Sequence, residues 1–532
     1  MRIGCQRTIS ALSAAVLLVG VAAVTPSAGA PLSFTTAADG TGRFWTADGR
    51  RFLLGVYDTG VGPFDSVEQA EAVLFDIGGN LRSTRSLDDL PALNIYLNYH
   101  RGHDTKEQLW NLMGALKNRN LLWLQTTNCF AGHHYWEPNP DFSADQEGFL
   151  AGLFGPGSTD ATTQLAGYYI MDECDNALIE ETQSHHELLT EKHRDLGVSD
   201  PINLAVGFAA PDREPGLWTR PGLNCDPTTM VPEECANTWK PTTPLFGVDP
   251  YPLYGREYRY GYPHFLVADY VARLRQWVSA SDPIIAVLQI FKFGGGGRLP
   301  TKREMRMHVA SAVVEGVQGV FWWELGVNGL RSTANRDNDV KRMLEYLKDV
   351  TNELKAIEPG LLAPAEPSRG GINTVCDREA AIEWRKDALD QNKKVIERYS
   401  YATLLWYEAE YQALLRGDLS RSPMLHDAGS PSQDALRLDA QCSNIRTRAS
   451  FDGNRGYLIA YNYTNATVTG SFVWNGPVTS IAVKTDTVTT CLSDFSGSNP
   501  VSFSDTLGPY EARVYVITPE EDPEQAECPP ST

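Results

Sequence analysis

Eight apolar runs of strand length recur along the chain, each ending on polar or aromatic residues. They are FLLGVYD ending at Asp58, LNIYLNYH at His100, LLWLQTTN at Asn128, AGYYIMDE at Glu173, INLAVGF at Phe208, LFGVDPYP at Pro252, PIIAVLQ at Gln289 and GVFWWE at Glu324. Helical periods stand between most of them, at Thr105 to Lys117, Asn176 to Leu196, Phe265 to Val278 and Thr301 to Val314. Near-continuous apolar strands alternating with helices are the pattern of a parallel sheet covered on its outside, and eight such units predict a closed (β/α)8 TIM barrel. The register is supported by Thr301-Lys302-Arg303-Glu304, a capping box directly after Leu299-Pro300, which starts the helix behind the seventh strand.

The flanks have other periods. Residues 34–52 predict a β-hairpin, with turns at Asp39-Gly40 and Asp48-Gly49, that closes the barrel floor. With it the barrel domain runs over 31–357, ending in an amphipathic helix from Asp337 to Ile357. EPGLLAPAEPSRGG opens a linker over 358–376, and 377–441 turns helical, charged first and then aromatic in YSYATLLWYEAEYQALL. That insertion is expected to pack an aromatic face on the barrel or the last domain, the alternatives being a lid or a dimer contact. Residues 442–518 alternate apolar and polar with period two, as in GYLIAYNYT and EARVYVI, which predicts an antiparallel β-sandwich. Two N-x-T sequons, at Asn462 and Asn465, lie in it, and an acidic tail over 519–532 is expected to be disordered.

The first thirty residues carry Arg2 and Arg7, an apolar core from Ala11 to Val24 and the small residues Ala28-Gly29-Ala30, a secretory leader pattern that predicts export. No later segment has the length of apolar sequence that crosses a bilayer. The formal charge of -20 deepens once the leader leaves, which disfavours nucleic acid and anionic lipid as partners. Of the nine cysteines Cys5 lies in the leader, and the even remainder suits an oxidising compartment. Candidate pairs are Cys129 with Cys174, Cys225 with Cys235, Cys376 with Cys442 and Cys491 with Cys528, although sequence does not fix the pairing. No CxxC spacing calls for structural zinc. The histidines of HRGHD and GHHYWE match no ligand signature, so neither metal nor cofactor is expected.

In a β/α barrel the strand ends converge on the carboxyl face, so each polar terminus is a site candidate. Acids stand there at Asp58, Asp172, Glu173, Asp249 and Glu324, with Asn98 and Gln289 beside them. Carboxylates ending a core strand are costly to desolvate and contribute nothing to packing, which points to chemistry. Aromatic residues accompany them at Tyr57, Tyr99, Tyr135, Trp136, Tyr251, Trp322 and Trp323, and the flat C–H faces of sugar rings stack on such side chains. Cleaving a glycosidic bond needs a proton donor for the leaving oxygen and stabilisation of an oxocarbenium-like centre, both tasks for carboxyl groups. The bland alternatives are that Glu173 pairs with Arg298, Glu324 with Arg331, and that Asp249 caps the DPYP bend. The glycines at 294–297 are expected to form a mobile loop carrying Arg298 rather than a phosphate cradle.

At these residues the chain resembles secreted glycoside hydrolases of the β/α-barrel type, particularly the clan A group of many β-galactosidases and β-glucanases. The resemblance runs from about Phe44 to Ile517 and rests on GRFWTADGRRFLLGVYD, GYYIMDE, GVDPYPLYG, GVQGVFWWE and FSDTLGPYEARVYVI in that order. It implies that Glu173 is the strand-four acid/base. Clan A enzymes carry Asn-Glu there and a nucleophilic Glu after strand seven, whereas this chain has Asp172-Glu173 and Gln289. The Asp-Glu pair is similar to that of β-hexosaminidases and N-acetylgalactosaminidases, in which the substrate's acetamido oxygen attacks. That resemblance implies that Asp172 holds the acetamido nitrogen, with Tyr251 or Gln289 completing the pocket. Otherwise Glu324 or Asp249 is the partner carboxylate, about 5 to 5.5 Å from Glu173 for retention or about 6.5 to 9.5 Å for inversion. The expectation is a hydrolase with Glu173, Asp172 and Glu324 as catalytic candidates. Tyr57, Asp58, Asn98, Trp136, Asp249, Tyr251, Gln289, Trp322 and Trp323 are expected to bind the carbohydrate. A non-catalytic carbohydrate-binding protein on a degenerate barrel is the alternative, and the oligomeric state is left open.

Overall fold

The computed structural model describes residues 32–36, 42–46, 49–58, 64–75, 87–98, 106–126, 164–172, 179–195, 200–207, 245–253, 264–278, 282–292, 297–326, 330, 336–373, 378–396, 401–419, 422, 444–485, 488–496, 499–520 and 528. Strands β1 (Ser33–Thr36), β2 (Gly42–Thr46) and β3 (Gly49–Arg51) make a small antiparallel sheet. Then come β4 (Leu53–Asp58), α1 (Val67–Leu74), β5 (Ile95–Asn98), α2 (Lys106–Lys117), β6 (Leu122–Thr126), β7 (Leu165–Asp172), α3 (Ile179–Asp195) and β8 (Leu204–Gly207). They are followed by β9 (Leu245–Val248), α4 (Leu266–Trp277), β10 (Ile284–Gln289), α5 (Lys302–Val314), β11 (Gly319–Trp323) and α6 (Asp337–Ala356). Strands β4 to β11 are the eight expected; each pairs in parallel with its neighbours, and β11 pairs with β4 to close the barrel.

Alternation along each strand sorts side chains to two sides. Leu53, Tyr57, Leu97, Leu124, Tyr169, Val206, Val287 and Phe321 fill the barrel, while Leu54, Val56, Tyr96, Trp123, Ile170, Ala286 and Val320 pack beneath the helices. At the closing seam Phe321 registers with Gly55, and a Cβ on Gly55 would stand 2.3 Å from the Phe321 ring, so the ring occupies the space that a side chain would need. Leu32 and Phe44, both buried, join the interior cluster from the small sheet, which therefore plugs the barrel as expected. A fully buried phenylalanine such as Phe44 contributes about 1.5–3 kcal/mol of hydrophobic stabilisation there. The capping box is complete, with Thr301 Oγ1 accepting from the Glu304 amide and the Glu304 carboxylate accepting from the Thr301 amide.

The stretch expected as a linker is more ordered than its composition suggests. It carries helix α7 (Glu358–Leu362), whose Pro359 stands in the first turn where a missing N–H costs nothing, and strand β12 (Gly370–Ile372). Helices α8 (Arg378–Ile396) and α9 (Tyr401–Leu415) form the insertion. As expected it packs aromatic side chains on the barrel and the last domain, Tyr407 on Phe265 and Trp384 on Tyr463, and it adds buried charge against α4. Arg385 pairs with Asp269 and Glu410, Arg273 with Glu410, and Tyr407 donates to Asp269.

Strands β13 (Ile445–Phe451), β14 (Gly456–Asn462), β15 (Val468–Trp474), β16 (Val478–Lys484), β17 (Thr489–Cys491), β18 (Phe495–Ser496), β19 (Val501–Leu507) and β20 (Ala512–Pro519) complete the chain. The sheets β13-β14-β20-β16-β17 and β12-β15-β19-β18 enclose a separate core that includes Leu458, Phe472, Phe503 and Tyr515. The first sheet turns its other face to α5, so Tyr457, Ile459, Tyr461 and Val516 belong to the barrel's outer core. Arg306 of α5 reaches across to the Ala512 and Lys484 carbonyls while pairing with Glu353. Asn462 is buried and its Nδ2 donates to the Ala466 and Gly508 carbonyls, so this sequon is spent on a turn, whereas Asn465 is exposed. Cys491 and Cys528 are bonded; the other candidate cysteine pairs, the leader and nearly all of the acidic tail lie outside the described residues.

This junction also sets an acid limit. His264 Nδ1 and His308 Nε2 lie 2.9 Å apart, with Tyr510 of the sandwich against His264. Burial holds His308 down to about 3 and keeps His264 below its ordinary value. The unfolded chain therefore binds protons that the fold refuses, and stability falls as pH drops from 6.5 toward about 3. His308→Gln should flatten the pH dependence of the urea midpoint by up to one proton, about 1.4 kcal/mol per pH unit; an unchanged slope would place the acid sensitivity elsewhere. The disulfide spans 37 residues. Serine at both positions should cost about 2–4 kcal/mol in thermal unfolding of the full chain.

Candidate functional site at the carboxyl face of the barrel

The barrel interior is filled with apolar side chains, so polar groups collect where the strands end. Val56 registers with Trp322 and Asp58 with Asn98, which registers with Gln125. Beyond the Trp322 pairing the ladder steps by one residue, since the Leu325 amide, not that of Glu324, donates to the Tyr57 carbonyl; Asp58, Asn98 and Gln125 thus form one belt across three adjacent strands, and Glu324 follows the end of β11. Asp58, Asp249 and Glu324 are 1%, 3% and 0% exposed. Three carboxyl groups taken out of water at the ends of core strands carry a desolvation cost that packing does not recover. The ladder continues past the strand ends to hold Glu324: the Ile290 amide donates to the Trp323 carbonyl, Leu325 to Tyr57 and Leu330 to Glu324, each at 2.9 Å. The Trp323–Glu324 peptide bond is cis.

Asn98 is turned to its neighbour. Its Nδ2 donates to Gln125 Oε1 at 3.0 Å, and Thr126 Oγ1 donates to the Asn98 carbonyl at 2.6 Å. Gln125 and Thr126 were not singled out in the sequence, although they open the polar end of the third run. Asp172 closes β7 in register with Val206, after irregularities in the pairing with both neighbouring strands. Such bulges recur beside active sites, where they re-aim a strand end. Glu173, Trp136 and the histidines of HRGHD and GHHYWE lie outside the described residues.

The aromatic wall is built from two groups joined by Trp323. The Tyr57 ring meets Tyr169 edge-on at 5.5 Å and Trp323 at 5.2 Å. Tyr251 meets Phe291 at 5.0 Å, and Trp323 packs on that pair. Phe291 was not anticipated, and its place two residues after Gln289 was the available signal. Trp322, expected at the sugar, instead faces outward and is fully buried between the barrel and its helices. In a strand covered on both faces an apolar run does not reveal which side each residue takes.

Gln289 is likewise occupied. Its Oε1 accepts from the Leu253 amide and its Nε2 donates to the Phe291 carbonyl, both at 2.9 Å. Arg298 forks onto Glu304 and its amide donates to the Leu253 carbonyl at 3.4 Å. Burial works against the Glu304 charge, but Arg298, His264 and the Thr301 amide outweigh it and hold the carboxyl well below the usual range. Of the glycine loop, 294–296 lies outside the described residues. Among the described residues no cluster of histidine, cysteine and acids could hold a metal ion, and no helix is long and apolar enough to cross a membrane.

Fold and site together define a β/α-barrel protein whose strands end in buried acids and a cluster of aromatic rings. No family model and no curated protein matches the chain. Among solved structures, a family 42 β-galactosidase from G. stearothermophilus is 9% identical, with 88% of this chain and 98% of that chain covered at a TM-score of 0.45. A family 5 glycoside hydrolase from Bacteroides vulgatus is 10% identical over 93% and 95% at 0.44. A family 30 subfamily 8 xylanase from Clostridium acetobutylicum is 11% identical over 88% and 96% at 0.40. Likenesses this remote carry no argument about activity.

The two adjacent tryptophans should separate in a stability measurement. Trp322→Ala removes a buried side chain from the outer core and should cost about 3–5 kcal/mol in urea unfolding, and Trp323→Ala clearly less. Equal losses would contradict their placement on opposite sides of β11.

Proposed function

We propose that this protein is a secreted enzyme that hydrolyses O-glycosidic bonds of an oligo- or polysaccharide. Glu173 is the general acid/base in this reading, with Asp172 or Glu324 as the second carboxylate. The observation that carries it is the pair of buried acids at the ends of the two closing strands, Asp58 and Glu324, each directly following in sequence a ring of the Tyr57–Trp323–Tyr251 wall. A sugar face stacks on the wall, and the acids meet the developing positive charge of the ring. Glu173 gives its proton to the leaving oxygen and recovers one from water. The second carboxylate attacks the anomeric carbon, activates the water, or, with an acetamido sugar, steadies the substrate's own attacking oxygen. Export rests on the amino-terminal leader, and the acidic net charge leaves nucleic acid and anionic membranes as unfavourable partners.

A second reading has one observation in its favour. The seventh-strand position where the resemblance implies a nucleophile is Gln289, whose amide is tied to backbone on both sides. A barrel that binds sugar without cleaving it would look the same there. The test is turnover of aryl glycosides and polysaccharides, N-acetylhexosaminides included, by the wild type, Glu173→Gln and Glu324→Gln. Loss of more than about 100-fold in Glu173→Gln places acid catalysis there, and a similar loss in Glu324→Gln names the second carboxylate. Calorimetric binding of an oligosaccharide without any product would instead establish the binding protein.

A further inference from the structure

Gln289 closes β10, buried inside the mouth, and uses both ends of its amide. The acceptor holds the Leu253 amide, which anchors the segment after β9 that carries Tyr251. The donor holds the Phe291 carbonyl, two residues further along the chain, past the end of β10. Tyr251 and Phe291 are the two rings that meet edge-on beneath Trp323, and the Ile290 amide between Gln289 and Phe291 donates to the Trp323 carbonyl. One head group thus sets the backbone on which half of the aromatic wall hangs.

We propose that Gln289 is a positioning residue that builds the sugar-stacking platform by clamping the chain at Leu253 to the chain at Phe291, rather than a group that touches the sugar. The proposal rests on the reading of the mouth as a carbohydrate site and adds to it what sets the platform's geometry. The clamp needs a donor and an acceptor on one planar group. A glutamine supplies both, whereas an ionised glutamate only accepts and would set a second oxygen against the Phe291 carbonyl. A glutamate here would therefore not restore a seventh-strand nucleophile; it would break the platform until it took up a proton.

The test uses the full mature chain with Gln289→Glu and Gln289→Leu, read by amide hydrogen exchange at Leu253 without sugar and by KM and kcat on the best aryl glycoside. In Gln289→Leu the Leu253 amide should exchange at least about 10-fold faster, and KM should rise about 10-fold or more while kcat moves less than about 3-fold. Gln289→Glu should show the same defects at neutral pH and regain both protection and KM as acid protonates the new carboxyl, a recovery that a generally weakened fold would not give. Unchanged exchange at Leu253 in both variants would overturn the clamp. So would a fall in kcat at constant KM, which would put Gln289 in the chemistry itself. If the wild type turns over no glycoside, the hydrolase reading fails while the exchange measurement still decides the clamp.

Discussion

Closure of the parallel sheet between β11 and β4 is the constraint on which the rest of the molecule depends. Gly319 to Trp322 register with Leu53 to Val56, and the Phe321 ring lies over Gly55, where even a methyl group would collide. With the circle closed, the interior is packed with apolar side chains and holds no room for solvated carboxylates. Acids are then admitted at the strand ends, as at Asp58, which closes β4, and Glu324, which follows β11. The closing strands and the candidate site are thus positioned together.

Outside the barrel, buried charge pairs accompany the apolar contacts that seat the other parts. The insertion is seated through Asp269, Arg273, Arg385 and Glu410, two acids and two arginines all at most 4% exposed. The sandwich is located by Arg306 across α5 and by Arg446 on Glu315 at 2.8 Å. Buried pairs of this kind return little net stability, because desolvation offsets their attraction, but removing one partner costs about 3–5 kcal/mol. The Arg298–Glu304–His264 group carries this logic to the mouth, because the Arg298 amide joins the Leu253 segment that Gln289 clamps.

Much of this was legible in the chain. All eight barrel strands, the capping box at Thr301 and the plug formed by the first hairpin follow from apolar runs and cap chemistry, which act over a few residues. The side that each residue takes was not legible, because a strand buried on both faces has no alternation to read; Trp322 and Trp323 look equivalent until the barrel closes. Asn462 satisfies a sequon rule that tests only its two neighbours, whereas its burial is set by carbonyls at Ala466 and Gly508. Helix α7 was hidden by the proline and glycine of EPGLL, which are tolerated because Pro359 falls in the first turn.

By itself the sequence determined the class of architecture and the roster of acids and aromatics at the strand ends. Local pattern suffices for that, since an apolar strand must stop where a carboxylate begins. Only the tertiary structure decided that Asp58 and Glu324 end neighbouring strands and are both buried, that Trp323 and not Trp322 joins the wall, and that Gln289 is spent on Leu253 and Phe291. Each of those is a contact between segments far apart in the chain, set by barrel closure and by hydrogen bonds whose partners no local pattern encodes.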